Sequence, residues 1–471
     1  MSQLQSGAAS MMDRLGITSG YLDRWLGMID SGTDRGELFF QQGWREEVTM
    51  EQGRITGGRH TAGSGVGVRS EHRRAGSRFA STNSLASRDV DAACRIVAHG
   101  DRTLPSPGKP FEGVASRANR GELGMQERVH ILNDLDGYAR KTGLAITDMA
   151  LSLGGAWEDI LVTDTTGLHA VDQRPQAQFR CQLAVERRGH IGRASSGAGG
   201  RVTYTRLASG GYMHDAIDTA LRMAVAELTA QPAPEGTMPL VFAPGWNGML
   251  LHETVGHCLE ADPMQAGTSV FAGKRGQRVA SACVTVIDDG TLAGLWGSGR
   301  IDDEGRPSSK VLLLEQGILG GLLHDSRTAA IDGVCPTGNA RRQSYAHRPM
   351  PRMTNTYLAA GEHHPDEIIG SVANGVYART LGGGQVHPVT GRFVFEVVEA
   401  YLISQGRLGA PLKRFSVAGN VHQFLQDISM VGNDLAMDPG IGRCVKRGQT
   451  LTVSVGQPTI RVDGLTIAGT R

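Results

Sequence analysis

Residues 247–262 read Asn247-Gly-Met-Leu-Leu-His252-Glu253-Thr-Val-Gly-His257-Cys-Leu-Glu260-Ala-Asp262, after a strand-like LVFA at 240–243 and a Gly/Asn-rich turn. Asn247 suits a helix N-cap, and Leu250, Leu251, Val255 and Leu259 supply the apolar side of a helix. The other side carries two histidines, three acids (Glu253, Glu260, Asp262) and a cysteine within eleven residues. Burying that set is costly unless a metal or hydrogen-bond partners compensate it.

His-Glu at the head of a helix is the arrangement of zinc peptidases. Two neutral imidazoles hold Zn2+, and the adjacent carboxylate takes a proton from the attacking water. The usual motif places its second His four residues on, whereas here the interval from His252 to His257 is five. At about 100° per residue, five residues separate the two side chains by about 140°, against about 40° for four. A regular α-helix therefore cannot direct both at one metal. A π-bulge or an early helix end would absorb the extra residue, and Gly256 is the residue most readily distorted. The spacing predicts an irregular helix between Glu253 and His257. An isolated H-E-x-x-x-H is more often structural, with His252 packing, Glu253 solvated and His257 a satisfied core histidine.

Downstream of residue 239 the texture is β: ACVTVIDD, VLLLE, RFVFEVVEAYLI, LTVSV and TIRVDGLTI, punctuated by glycines. Upstream, GELFFQQ at 36–42, GVGVRS at 65–70 and ILVTDT at 160–165 read as strands. Helices are expected through Leu85, Val90, Ala93, Ile96 and Val97, through Met125 to Tyr138, and through Ile217, Leu221, Ala224 and Leu228. RASSGAGGR at 193–201 reads as a flexible surface loop. Proline-bearing stretches at 104–111 (LPSPGKPF) and 231–239 (QPAPEGTMP) mark linkers. The expected organisation is an α+β N-terminal domain over 1–231, with sub-modules 1–103 and 112–231, and a β-rich C-terminal domain over 240–471.

Composition narrows the function. With 48 Lys+Arg against 47 Asp+Glu in 471 residues the formal charge is +1, so no basic nucleic-acid footprint defines the chain. The cluster RSEHRRAGSR at 69–78 reads as a solvated face. Glycine, 65 residues, is about twice its usual share and points to turns and close backbone approaches. The six cysteines, Cys94, Cys181, Cys258, Cys283, Cys335 and Cys444, form no C-x-x-C pair, which fits a reducing compartment. With no signal-peptide pattern and no run of 18 apolar residues, a cytoplasmic location away from membranes is expected. Neither G-x-S-x-G nor G-x-x-x-x-G-K-[ST] occurs, which excludes a standard serine hydrolase and a P-loop ATPase. Tyr345 and His347 are donors that could stabilise an oxyanion, and Gly382, Gly383 and Gly384 could admit a substrate backbone as an added strand. A structural hydrogen bonder and an ordinary turn explain them equally well.

LLHETVGHCLEAD resembles the signature of the TldD half of the TldD/PmbA (TldE) metallopeptidases. The resemblance continues through GTSVFAGKRGQRVAS, VIDDGTL, IDDEGRPS, PTGNARRQSYAHRPMPRMTNTYL, LGGGQVHPVTGRFVF, ISMVGNDL and VGQPTIRVDGLTIAGT, and upstream through DRGELFFQ, GVGVRS and RASSGAGGR. It implies a zinc site made by His252, His257 and a cysteine in a G-x-C segment after VGNDL, which here is Cys444 in Gly442-Arg-Cys-Val-Lys-Arg-Gly448. A His2Cys set leaves a fourth position for water. Taken alone, Cys444 reads as an inert buried cysteine.

The resemblance further implies Glu253 as general base, an α+β fold whose β-rich parts build a shared barrel-like sheet in a dimer, and pairing with a PmbA/TldE-like subunit or a second copy. It implies peptide substrates such as leaders of ribosomally made antibiotics and labile antitoxins, bound extended and cut without ATP. Two other roles associated with the family are a non-catalytic partner subunit, against which the retained H-E-x-x-x-H argues, and an indirect effect on DNA gyrase. The sequence departs from the family pattern at Cys258, Ala261 and Val445, each standing where glycine is usual. None of these removes a ligand, and Cys258 is expected in the core.

Overall fold

Alternating apolar residues along the first half build one sheet of very long strands. The computed structural model describes residues 11–30, 33–72, 76–99 and 123–468. Its first six strands are β1 (Arg35–Glu51), β2 (Arg54–His72), β3 (Gly76–Thr82), β4 (Ile146–Asp164), β5 (His169–Arg187) and β6 (His190–Gly200). They pair antiparallel in the order β3-β2-β1-β4-β5-β6. β1 and β4 stay in register from Glu37↔Asp164 to Glu51↔Ala150, so strands on both sides of the 104–111 stretch, which lies outside the described residues, share one sheet.

Two clusters cover this sheet. Leu38, Phe40, Val66 and Val68 pack with Trp25 and Ile29 of the helix Ser19–Asp30 and with Val90, Cys94 and Val97 of the helix Ser87–His99. Towards the other end, Val48, Leu151, Leu153 and Phe179 pack with Leu132 and Leu135 of the helix Met125–Arg140 and with Ile217, Leu221 and Ala224 of the helix Tyr212–Leu228. Each large apolar side chain buried this way is worth roughly 1.5–3 kcal/mol.

The expected loop at 193–201 is instead strand β6, paired with β5 from Ala177↔Gly200 to Arg187↔His190. Its small residues serve close packing rather than flexibility. A Cβ on Gly192 would stand 2.0 Å from the Ala224 carbonyl oxygen, and one on Gly199 would stand 2.1 Å from the Trp296 ring.

The second half opens with Gly236–Phe242, which joins a closed five-stranded barrel. Going round, Asn374–Val386 pairs with Gly236–Phe242, then come Ile460–Ala468, Phe415–Asn420 and Arg392–Ser404, and the last pairs back with Asn374–Val386. The barrel closes within this single chain. Beside it lies a six-stranded sheet that includes Val286–Asp289, Lys310–Glu315, Asn355–Leu358 and Ser454–Gln457. Phe242, Val376 and Phe395 of the barrel, Val286 and Leu313 of the sheet, and Leu250, Val255 and Leu259 of the 247–262 segment form one core. The histidine-bearing segment is thus clamped between two β structures. No helix among the described residues is long and apolar enough to cross a membrane.

Buried charges join the halves. Arg69 reaches Glu37 and Glu304, each at 2.6 Å, and Arg35 lies 3.4 Å from Glu304. Arg342 bonds Glu37 and stacks on the Phe39 ring, while Arg174 contacts Asp303 at 2.6 Å. Burial would raise the Glu304 carboxyl, but Arg69 and Arg35 hold it well below the usual carboxylate range.

Because its folded pKa is depressed, Glu304 contributes stability above the unfolded carboxylate pKa and loses that contribution as pH falls. Glu304→Gln should cost about 3–5 kcal/mol at pH 7, the typical cost of stranding buried charges. The gap from the parent protein should narrow below about pH 4. Urea midpoints across pH measure both.

Candidate metal centre

The five-residue interval is absorbed by the backbone. Trp246–Gly248 forms a 3-10 turn and Met249–Leu251 begins an α-helix. His252–Gly256 then widens into a π turn, closed by a hydrogen bond from the His257 amide to the His252 carbonyl. An i→i+5 bond returns His257 to the face of His252, and the two rings lie 5.1 Å apart at 84°. The irregularity falls where the spacing predicts it, but the glycine acts differently. Gly256 has ordinary helical angles, φ −57° and ψ −59°, and a Cβ there would stand 1.9 Å from Met353 Sδ. Its smallness admits Met353; it does not relieve strain.

Asn247 is not the N-cap expected from sequence, because Trp246 has already entered the helical turn. Its side-chain amide donates to the carbonyls of Ala243, Ala378 and Arg379, and its side-chain oxygen accepts the Leu381 amide. Asn247 thereby ties the histidine segment to the barrel.

Cys444 arrives on the strand Arg443–Lys446, which pairs with Gln449–Thr452 in a hairpin. One ring nitrogen of His252, one of His257 and Cys444 Sγ lie within 4.8 Å of one another, and Cys444 Sγ is 3.1 Å from His257 Nε2. His252 is fully buried with neither ring nitrogen hydrogen-bonded, an arrangement that calls for a partner. Donors on this scale suit one ion with bonds of about 2.0–2.3 Å. Burial would raise the Cys444 thiol, yet the adjacent His252 and His257 hold it well below its ordinary value, as a thiolate ligand requires. The residues present therefore fit a metal.

The surroundings orient this set. His257 Nδ1 faces Glu260 Oε2 at 3.2 Å, which leaves Nε2 for the cluster. Burial opposes charge on His257, but Glu260 and Cys444 prevail and raise its pKa well above the usual value. Glu260 itself would be raised by burial, and His257, Lys446 and Arg352 bring it down to about 2. Lys446 Nζ bridges Glu260 at 2.9 Å and Asp262 at 2.7 Å, and Arg352 donates to the Cys444 carbonyl at 2.8 Å. Lys446, Arg352 and Met353 were not singled out from sequence; the only signal was the long irregular run PMPRMTNTYL that contains two of them.

Glu253 follows His252, is partly exposed, and makes no hydrogen bond or ion pair among the described residues. Cys258 is fully buried in the core, its thiol pushed up to about 12 chiefly by burial. Val445 is extended and exposed.

The remaining sequence candidates have the following neighbours. Tyr345 packs with Phe39, Ile160 and Val162 against the N-terminal sheet, and its ring lies over Gly65. His347 Nδ1 is 2.9 Å from the Ser344 hydroxyl within a local turn. Of the three glycines, Gly384 is crowded by Phe395, and Gly382 by Glu396 and Val398, while Gly383 faces open space.

Glu260→Gln should lower metal affinity about 10- to 100-fold while leaving the fold intact, as read by competition with a chromophoric chelator. Gly256→Ala should weaken metal binding and stability together, because Met353 must be displaced.

The chain is similar to proteins described as metallopeptidases. Profiles described as PmbA/TldA metallopeptidase domain 1, central domain and C-terminal domain match residues 36–99, 120–228 and 235–469. A Haemophilus influenzae protein named Metalloprotease TldD homolog is 38% identical over 94% of both chains. One from Saccharolobus solfataricus named Zinc metalloprotease TldD homolog is 31% identical over 55% of this chain and 59% of its own. The fold matches the crystal structure of TldE from Thermococcus kodakarensis with a TM-score of 0.76 at 21% identity, covering 95% of this chain and all of that one. With three profiles spanning most of its length and a relative aligned nearly end to end, the chain belongs to the TldD/PmbA metallopeptidase family.

Proposed function

We propose that this protein is a zinc peptidase acting on short or unfolded peptides, with His252, His257 and Cys444 as ligands and Glu253 as general base. The observation that carries the reading is the convergence of two imidazoles and a distant thiol, with Glu253 next to His252 in the same turn and without a hydrogen bond or ion pair among the described residues. Zinc is favoured by the nitrogen and sulfur donors and by the name of the Saccharolobus solfataricus relative.

When bound, zinc supplies Lewis acidity to the substrate carbonyl and to water. Glu253 accepts the proton of the attacking water and returns it to the leaving amine. Glu260, through His257 Nδ1, keeps that ring turned towards the cluster, and the buried wall of Leu250, Leu251 and Val255 limits water behind it.

Substrates are taken to be extended segments, because the sequence carries no ATPase motif with which to unfold a protein. Leaders of ribosomally made antibiotics and labile antitoxin-like peptides fit that description. The protein is proposed to work in the cytoplasm, paired with a PmbA/TldE-like subunit or a second copy. With a formal charge of only +1, any effect on DNA gyrase would be indirect, through proteolysis.

Purified protein should contain about one zinc per copy of this chain. Glu253→Gln should retain it and lose roughly two to four orders of magnitude in peptide turnover. Cys444→Ala should lose both metal and turnover. Near-normal cleavage by Glu253→Gln, or full zinc in Cys444→Ala, would overturn the assignment.

A further inference from the structure

Between β1, β4 and β5 and the loops of the second half lies a cavity of about 690 Å3, lined by eight arginines and five carboxylates. Three of the carboxylates are engaged. Asp303 binds Arg174 and the Arg342 amide, Glu46 pairs with Arg128, and Asp302 accepts the amides of Glu304, Arg306 and Ala340.

Among the described residues six of the eight arginines have no carboxylate partner, and of these only Arg201 and Arg341 are not exposed. Arg341, 7% exposed, donates only to the carbonyls of Met353 at 2.6 Å and Thr452 at 2.8 Å. Arg201 reaches the Trp296 carbonyl at 3.4 Å, and its Nη1 is buried without an acceptor. Neither guanidinium is within ion-pair distance of a carboxylate among the described residues. The Trp296 indole N–H, on the same wall, is also buried without an acceptor. Burial, and then Arg201, bring the Arg341 pKa down to about 9, while burial and Arg174 bring Arg201 down to about 10. These are the signs of enclosed cations whose carboxylate neighbours, Asp303 for both and Glu158 and Asp172 for Arg201, lie beyond ion-pair distance.

The cavity is linked to the metal centre through shared neighbours, although none of His252, Glu253, His257 and Cys444 lines it. Its wall includes Arg443, Leu451 and Thr452, and Leu451 pairs with Cys444 across the hairpin. Arg341 is bonded to Met353, the residue packed on Gly256 between the two histidines.

We propose that this cavity is an anion subsite in which Arg201, Arg341 and Trp296 bind a carboxylate of the peptide substrate. The proposal rests on the peptidase reading and gives it a preference, for peptides bearing a free C-terminus or an acidic side chain. A volume of this size takes a peptide segment and not merely an inorganic ion, and a guanidinium fork matches carboxylate geometry.

The test uses zinc-loaded Glu253→Gln protein, so that binding is read without turnover. Fluorescence anisotropy is measured with four labelled peptides of one sequence, with a free or amidated C-terminus and with Glu or Gln at one internal position. At least one carboxylate-bearing peptide should bind about 10- to 100-fold more tightly than the fully neutral one, the worth of a charge-assisted hydrogen bond. Whichever of the two changes carries the gain identifies the source of the carboxylate. Adding Arg201→Gln should remove most of the difference between the carboxylate-bearing and neutral peptides, and Arg201→Lys should restore most of it.

Equal binding of all four peptides, or an undiminished preference in both Arg201→Gln and Arg341→Gln, would overturn the subsite while leaving the peptidase reading standing. Binding of none would count against both.

Discussion

The hydrogen bond from the His257 amide to the His252 carbonyl is the constraint on which the centre depends. Without that wide turn, five residues would carry the imidazoles to different sides of a helix. The turn survives because its surroundings hold it. Asn247 anchors the segment to the barrel, Met353 fills the space left by Gly256, and an apolar core closes behind Leu250, Val255 and Leu259. The local backbone is non-standard, but every contact that fixes it is ordinary packing or hydrogen bonding.

The third donor needs a different device, since Cys444 stands on a hairpin far along the chain. Charges position it. Lys446, two residues beyond the thiol, is drawn to Glu260 and Asp262 just after the second histidine, and Arg352 holds the Cys444 carbonyl. Buried ion pairs rarely add much net stability, but they fix register. Here they fix the placement of a strand against a helix, and hence of sulfur against nitrogen. Glu260 serves both tasks, accepting Lys446 on one side and orienting His257 on the other.

Periodicity made the regular elements legible. The helix through Ile217, Leu221 and Ala224 and the strands around Phe40, Leu161 and Phe395 announce themselves because burial on one face repeats at 3.6 or 2 residues. The two histidines are legible for a different reason, their chemistry at short spacing. What stayed hidden was long-range. β6 looked like a flexible loop because nothing local reveals that Ala224 and Trp296 need its missing side chains. Asn247 resembles a cap because two of its acceptors and its donor lie some 130 residues away on a barrel strand. Tyr345 offered a phenol with suitable chemistry, and only tertiary structure shows it packed on the N-terminal sheet.

The arrangement of buried charges between the halves bears on whether either can exist alone. Arg35, Glu37 and Arg69 come from the first half, and Asp303, Glu304 and Arg342 from the second. A fragment beginning at the barrel would retain two carboxylates and a guanidinium built for burial, with most of their counter-charges gone and solvent in place of the sheet. Its surface there would be a hydrated, locally loosened patch, next to the loops that lead to Arg341, Arg352 and Met353. The long sheet is therefore the missing wall of the second half, and loss of function on truncation would not require the removal of His252, His257 or Cys444.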